Sequence, residues 1–166
     1  MSLESLLLEF QRWSLSFSEE YGYLGIFIVC FIGSSSVGLP IPTFAAVIAL
    51  GAVMNPFLVG LFAGLGDGLG EAVGYFVGKG GGKLLKKKYE KEMKDIEEKV
   101  KRFGLIPLIF AFAMTPLPDD FLGVFCGLTN YSFKKYMITV IAGKIFFNTL
   151  IAVGAHYGFQ WAVGGF

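Results

Sequence analysis

An all-α integral membrane protein is predicted, built from two inverted repeats, each a re-entrant helical hairpin plus a transmembrane helix, with interfacial amphipathic helices. Three observations carry this. The chain is 54% hydrophobic with a mean hydropathy of +0.63 and only 16% charge. From Gly22 to Gly78 the only charged residues are Asp67 and Glu71, whereas ten of the fourteen Lys and Arg fall between Lys79 and Arg102, the layout of a polytopic membrane protein with one polar loop. Finally, Pro40-Ile41-Pro42 recurs as Pro116-Leu117-Pro118, 76 residues later, each followed nine residues on by a glycine, Gly51 or Gly127. A helix broken this way at membrane depth leaves backbone groups that hydrocarbon cannot satisfy. It must be buried in protein or line a watery cavity, which is where transport sites are built.

Residues 1–21 carry Glu4, Glu9, Glu19 and Glu20 against Arg12 and lack the long apolar core of a cleavable signal. Leu3, Leu7, Phe10, Trp13 and Phe17 recur at helical spacing and predict a short helix lying on the bilayer. Repeat 1 spans 22–78. The arms beside its break, 23–38 and 41–54, are too short to cross and predict a re-entrant hairpin, after which 57–78 is one full crossing that Pro56 can start. Residues 79–102 read as a cytoplasmic amphipathic linker, with Leu85, Tyr89, Met93, Ile96 and Val100 on one stripe and Lys86, Lys87 and Lys88 available to lipid headgroups. Repeat 2 spans 103–158, with arms at 105–114 and 121–128 and a crossing over 136–157.

A unit of one hairpin and one crossing traverses the membrane an odd number of times, so the second copy enters from the opposite face. The charges agree with hairpins: a re-entrant second hairpin returns Lys134 and Lys135 to the side of the basic linker, whereas a single kinked span would put them outside.

Asp67 and Glu71, four apart, share a helix face with Gly60, Gly64, Gly74 and Gly78, and small residues let another backbone come close. Each charge near the bilayer centre costs about 2.5 to 3.5 kcal/mol on insertion scales, a cost normally tolerated for function. Asp119 and Asp120 follow the second Pro-x-Pro, at the tip of the expected hairpin. Two adjacent carboxylates repel when both ionise, so a shared proton or a bound cation fits them, and helix capping is the plainer alternative. Lys144 is the single basic residue of the last crossing, with Asn148 one turn on; it needs a carboxylate partner, with Glu71, Asp67 and Asp119 as candidates. His156 reads as an interfacial residue, and Cys30 and Cys126 as core filler.

Enzyme signatures fail on inspection. The run GKGGGK (78–83) has Leu84 where a phosphate loop needs a hydroxyl, Asp67-Gly68 lacks the remainder of a phosphatidyltransferase motif, and Ser36 with His156 is an isolated pairing. No metal site, cofactor or enzymatic activity is expected.

The run GLGDGLGEAVGYFVG (64–78), the Pro-Ile-Pro break, TPLPDD (115–120) and Ala142-Gly143-Lys144 resemble the DedA superfamily, also called the VTT or SNARE-associated domain, closest to its YqaA-like and archaeal branch. The resemblance covers about 22–158. It implies two opposed re-entrant hairpins and lipid movement across the bilayer, with links to polyprenyl-phosphate recycling, dependence on the proton gradient and phospholipid scrambling. The chain departs from the family pattern at Phe44, where a glutamate is usual, and at Ala113 and Asp119, where arginines are usual. An anionic headgroup would therefore meet Lys144, the linker lysines and helix N-termini.

The function expected is that of a lipid transporter or scramblase of the cell membrane, with a proton coupled through Asp119, Asp120, Asp67 and Glu71. A small-solute or ion carrier, an intramembrane lipid enzyme and a non-transporting scaffold are the alternatives. The partners expected are membrane lipid and a proton or cation, with self-association left open, and no nucleic acid.

Overall fold

The computed structural model describes residues 3–36, 43–88, 90–115 and 120–164, and their regular structure is all helical. Pro40, Pro42, Pro116, Pro118 and Asp119 lie outside the described residues, as do the side chains of Asp120 and of Lys86, Lys87 and Lys88.

Helix α1 (Leu3–Ser35) has a kink at Gly22, whose φ of 57° and ψ of −128° suit a residue without Cβ. The kink folds the chain back on itself: a Cβ at Gly25 would lie 2.8 Å from the Phe17 carbonyl oxygen. The first half of α1 packs inward through Ser14 and Ser18, both buried, while Trp13 and Tyr21 stay exposed and stack through Phe17 between them. Trp13 and Tyr21 thus face outward, while Leu15 and Phe17 pack against the core beside the buried serines.

Helix α2 (Phe44–Val53) is the second arm of the first pair. The turn after it is fixed by Asn55, whose side-chain oxygen accepts from the backbone N–H groups of Phe57 and Leu58 at 3.0 and 3.2 Å, with Pro56 in the first helical position. Helices α3 (Pro56–Gly70) and α4 (Ala72–Lys88) are nearly continuous, since Glu71 N–H donates to Asp67 and Glu71 C=O accepts from Tyr75. The helix does not stop at Gly78, where the apolar run ends, but continues to Lys88. The change from apolar to basic residues marks a change of surroundings, and neither a proline nor a cap stops the backbone there.

Helix α5 (Glu90–Phe103) lays Met93 and Ile96 into the core and ends at Gly104, whose φ is 82°. The short helices α6 (Leu105–Ala113) and α7 (Asp120–Leu128) follow. Asn130, in the left-handed region at φ 51°, closes α7: Tyr131 N–H reaches the Cys126 carbonyl at 2.9 Å and Asn130 N–H that of Gly127 at 3.2 Å. Helix α8 (Phe133–Gly164) completes the chain.

Among the described residues three helical stretches are long and apolar enough to cross a membrane: Arg12–Ser35, Pro56–Gly81 and Phe133–Trp161. The first contains the Gly22 kink. The outer faces carry exposed Leu24, Phe31, Phe44, Ile48, Leu69, Phe146 and Leu150, an apolar surface suited to lipid.

Helices α3 and α8 run antiparallel at the centre in close contact. Gly60 lies on Thr149, Gly64 on Ile145 and Gly68 on Ile141, each leaving no room for a Cβ. Gly66 and Gly70 face α1 instead, and Gly78 faces Val124 of α7, so the glycines form several contacts rather than one face. Helix α2 packs on α8, α7 on α4 and α6 on α8. Phe133, at the start of α8, lies against Tyr75 and Phe76 in the first part of α4, with ring centroids 5.1 Å apart in each pair.

Candidate functional site

The apolar core has two parts. One gathers Ile26, Val29, Cys30, Ala46, Val47, Leu50, Val59, Ala63 and Ala152; the other is built around Tyr75, Leu108, Ile109, Phe125, Tyr136 and Val140. Along the central helices the seam between them is polar. On α3 and α4, Asp67 and Glu71 follow Ala63 and precede Tyr75; on α8, Lys144 and Asn148 follow Val140 and precede Ala152.

These four residues meet. The Lys144 ammonium lies 3.0 Å from Glu71 Oε1, with side-chain exposures of 12% and 4%. The ammonium expected to need a carboxylate has one. Asp67 accepts at both oxygens: Ser34 Oγ–H donates to Oδ1 at 2.9 Å and the Asn148 amide donates to Oδ2 at 2.8 Å. Asn148 Nδ2 also donates to the Lys144 carbonyl at 3.0 Å, tying both halves of the cluster to one turn of α8. Asp67, Glu71 and Asn148 are all buried, so each polar atom must find its partner in protein. The fully buried Cys30 thiol of α1 lies beside Asp67, and the Tyr136 hydroxyl donates to the Glu71 carbonyl at 3.5 Å.

The glycines explain how the cluster closes. Without Cβ atoms at Gly60, Gly64 and Gly68 the helix axes approach until facing polar side chains of α3 and α8 are within direct hydrogen-bond reach. Two carboxylates and one ammonium make the cluster net negative by one unit when all are ionised, counted over the described residues.

Ser34 escaped the sequence reading. The only sign of it is the run Ser34-Ser35-Ser36 at the end of an otherwise apolar arm, and Ser35 and Ser36 donate only to carbonyls of their own helix. Ser34 instead faces Asp67 across a contact opened by Gly70, where a Cβ would lie 2.6 Å from Ser34 Cβ. His156 joins two elements: the Gly51 carbonyl near the end of α2 accepts from Nδ1–H at 3.1 Å, and Nε2 accepts from the Gln160 amide at 2.9 Å. The carbonyl can only accept, so Nδ1 carries the proton. Asp119 and the side chain of Asp120 lie outside the described residues. Among the described residues no three His, Cys, Asp or Glu side chains converge as a metal site would require.

Comparison with known proteins decides the family. The VTT domain matches residues 41–158, spanning α2 to α8 and all four residues of the cluster. This chain belongs to the VTT domain (DedA) family. The uncharacterized protein MJ0201 of the archaeon Methanocaldococcus jannaschii is 31% identical over 142 residues, covering 82% of this chain and 85% of the relative. No solved structure matches. Membership makes this VTT protein a membrane protein of a family proposed to transport or flip its cargo, and its three apolar helices are compatible with that setting.

Proposed function

We propose that this VTT protein moves a lipid, a polyprenyl phosphate or a phospholipid, across the cell membrane, with a proton carried on the acidic residues of the buried cluster. The observation that carries the reading is the cluster itself. Asp67, Glu71, Lys144 and Asn148 occupy the seam between two antiparallel helices of membrane-crossing length, in a bundle whose other face is apolar. Intramembrane charges of this kind mark substrate and proton paths.

Packing supports two opposed re-entrant units as the frame. Gly51 of α2 lies on Ala152 of α8, and 76 residues on Gly127 of α7 lies on Tyr75 of α4; Ser34 meets Asp67, and 76 residues on Phe110 meets Gly143. Each arm thus meets the central helices at matching positions, with the two central helices exchanged. The proximity of Phe133 to Tyr75 supports a cytoplasmic end shared by Lys134, Lys135 and the basic linker. Asp119 and Asp120 join the reading as a proton- or cation-binding pair at the tip of the second hairpin.

The test is reconstitution of the pure protein into vesicles containing a fluorescent prenyl phosphate or phospholipid, with an impermeant quencher outside. Protein-dependent access of inner-leaflet lipid to the quencher supports the reading. A signal equal to that of protein-free vesicles, or chemical conversion of the lipid, overturns it.

A further inference from the structure

We propose that His156 is a pH-sensitive clasp for helix α2: its imidazole holds the end of that arm on α8, and holds it more firmly when protonated. Gly51 lies against Ala152 with no room for a Cβ, which brings the last turns of α2 onto α8. One turn further along α8, His156 Nδ1 meets the Gly51 carbonyl at 3.1 Å. Gly51 belongs to the final four residues of a helix that ends at Val53, whose carbonyls the helix leaves without a donor of its own. At membrane depth such an orphan is costly, and His156 supplies the donor from another element.

The position of α2 gives the clasp something to control. At the start of the arm Thr43 lies beside the Cys30 thiol, which also lies beside Asp67 of the polar cluster. Its middle places Val47 and Leu50 in the core with Ala152, and its end reaches His156. The arm therefore runs from the cluster to one end of the bundle. His156 stands 22 residues beyond Lys134 on α8. That is about 33 Å along the helix, so in the topology proposed above His156 faces the exterior.

Proton counting sets the direction. A neutral imidazole has one N–H. On Nδ1 it makes the clasp, and Nε2 accepts from the Gln160 amide at 2.9 Å. On Nε2 it would donate to the Gln160 oxygen once that amide has turned round, and Nδ1 would face the Gly51 carbonyl with a lone pair, so the clasp would open. The imidazolium has an N–H on both nitrogens. It keeps the Gly51 bond, now charge-assisted, and places a cation at the C-terminal end of α2, where the helix dipole attracts one.

The charge of this end of the bundle rests on few groups. Residues 44–66 and 145–166 contain no Asp, Glu, Lys or Arg, and His156 is the single histidine of the chain. Tyr157 stands edge-on to its ring, with centroids 5.7 Å apart. Helix α1 brings Glu9, Arg12, Glu19, Glu20 and Tyr21, all exposed, and the half-buried Tyr23. Histidine is the residue type whose charge changes between about pH 5 and pH 8.

The experiment uses the full chain in neutral phosphatidylcholine nanodiscs. Because there is one histidine, nitrogen-15 labelled histidine reports this imidazole alone, and hydrogen exchange read by mass spectrometry reports the arm. At about pH 8 the ring should be in the Nδ1–H form. After correction for intrinsic exchange, protection of residues 44–53 should be about fivefold higher at about pH 5 than at about pH 8, the ratio expected when a neutral hydrogen bond becomes charge-assisted. Protection of residues 57–66 in α3 should stay level. His156→Gln, whose amide can donate to the Gly51 carbonyl without titrating, should show no pH difference in α2, and His156→Phe should lower its protection at both pH values. Glu19→Gln combined with Glu20→Gln should keep the wild-type difference. Equal protection of α2 at both pH values in wild type, an Nε2–H ring at the alkaline end, or a pH difference that survives in His156→Gln overturns the clasp, and the wild-type comparison decides even where His156→Phe does not fold. The clasp does not depend on the cargo proposed above, so an absence of lipid movement in vesicles would leave it standing.

Discussion

Lys144→Met removes the ammonium from a carboxylate that has almost no water to turn to. At 3.0 Å, with an effective dielectric of about 20, the attraction between Glu71 and Lys144 is roughly 5 to 6 kcal/mol before desolvation is subtracted. Glu71 keeps only 4% side-chain exposure, so solvent recovers little of that. Breaking a buried pair from one side typically costs about 3 to 5 kcal/mol, whereas replacing both members by apolar groups is often neutral. Lys144→Met should therefore lower unfolding stability by about 3 to 5 kcal/mol, and Glu71→Leu added to it should restore stability to within about 1 kcal/mol of wild type. Reversible unfolding in mixed detergent and SDS micelles measures this, with intrinsic tryptophan fluorescence as the readout. A costless Lys144→Met, or a double variant no better than the single, would refute the reasoning that the pair is a dry, mutually dependent contact.

Gly64→Ala should destabilise by about 1 to 3 kcal/mol, since its Cβ would lie 2.3 Å from Ile145 Cα. Gly80→Ala in the continuing helix has nothing within 4 Å and should gain about 0.5 to 1 kcal/mol from helix propensity; equal effects in the same unfolding assay would contradict the close α3–α8 contact. Cysteines placed at Lys87 and at Lys134, in a chain with Cys30 and Cys126 replaced, should both react with an impermeant maleimide from the cytoplasmic side only. Labelling from opposite faces would reject the re-entrant second hairpin.

The residues of the site that were legible in the sequence were those whose chemistry is conspicuous in hydrocarbon. Two carboxylates four apart and one lysine within long apolar runs stand out because the bilayer penalises them, and a lone lysine there requires a partner. Ser34 did not stand out, because a serine late in an apolar arm reads equally well as a residue bonding its own helix, as Ser35 does. The first half of α1 was legible only in part, for a related reason. Its apolar stripe pointed to a helix lying on the bilayer and said nothing of Ser14 and Ser18, which are the polar residues it buries. The boundary at Gly22 was legible from the change of composition between 1–21 and the apolar arm, but the direction of the backbone there was not, since a glycine is compatible with φ of either sign. The crossing expected over 57–78 and the helical linker expected from 79 share continuous backbone in α4, because a change from apolar to basic residues does not by itself end a helix.

The most direct measurement of the central claim, that the buried cluster lies on the path of a lipid, is translocation of fluorescent prenyl phosphate in vesicles by wild type and by Asp67→Asn. The substitution keeps the size of the side chain and the possibility of bonding Ser34 and Asn148 while removing the charge, and detergent-state melting confirms that the fold is retained. The account predicts translocation by wild type and a loss of at least about tenfold in the variant. An unchanged rate in a folded Asp67→Asn protein would contradict it.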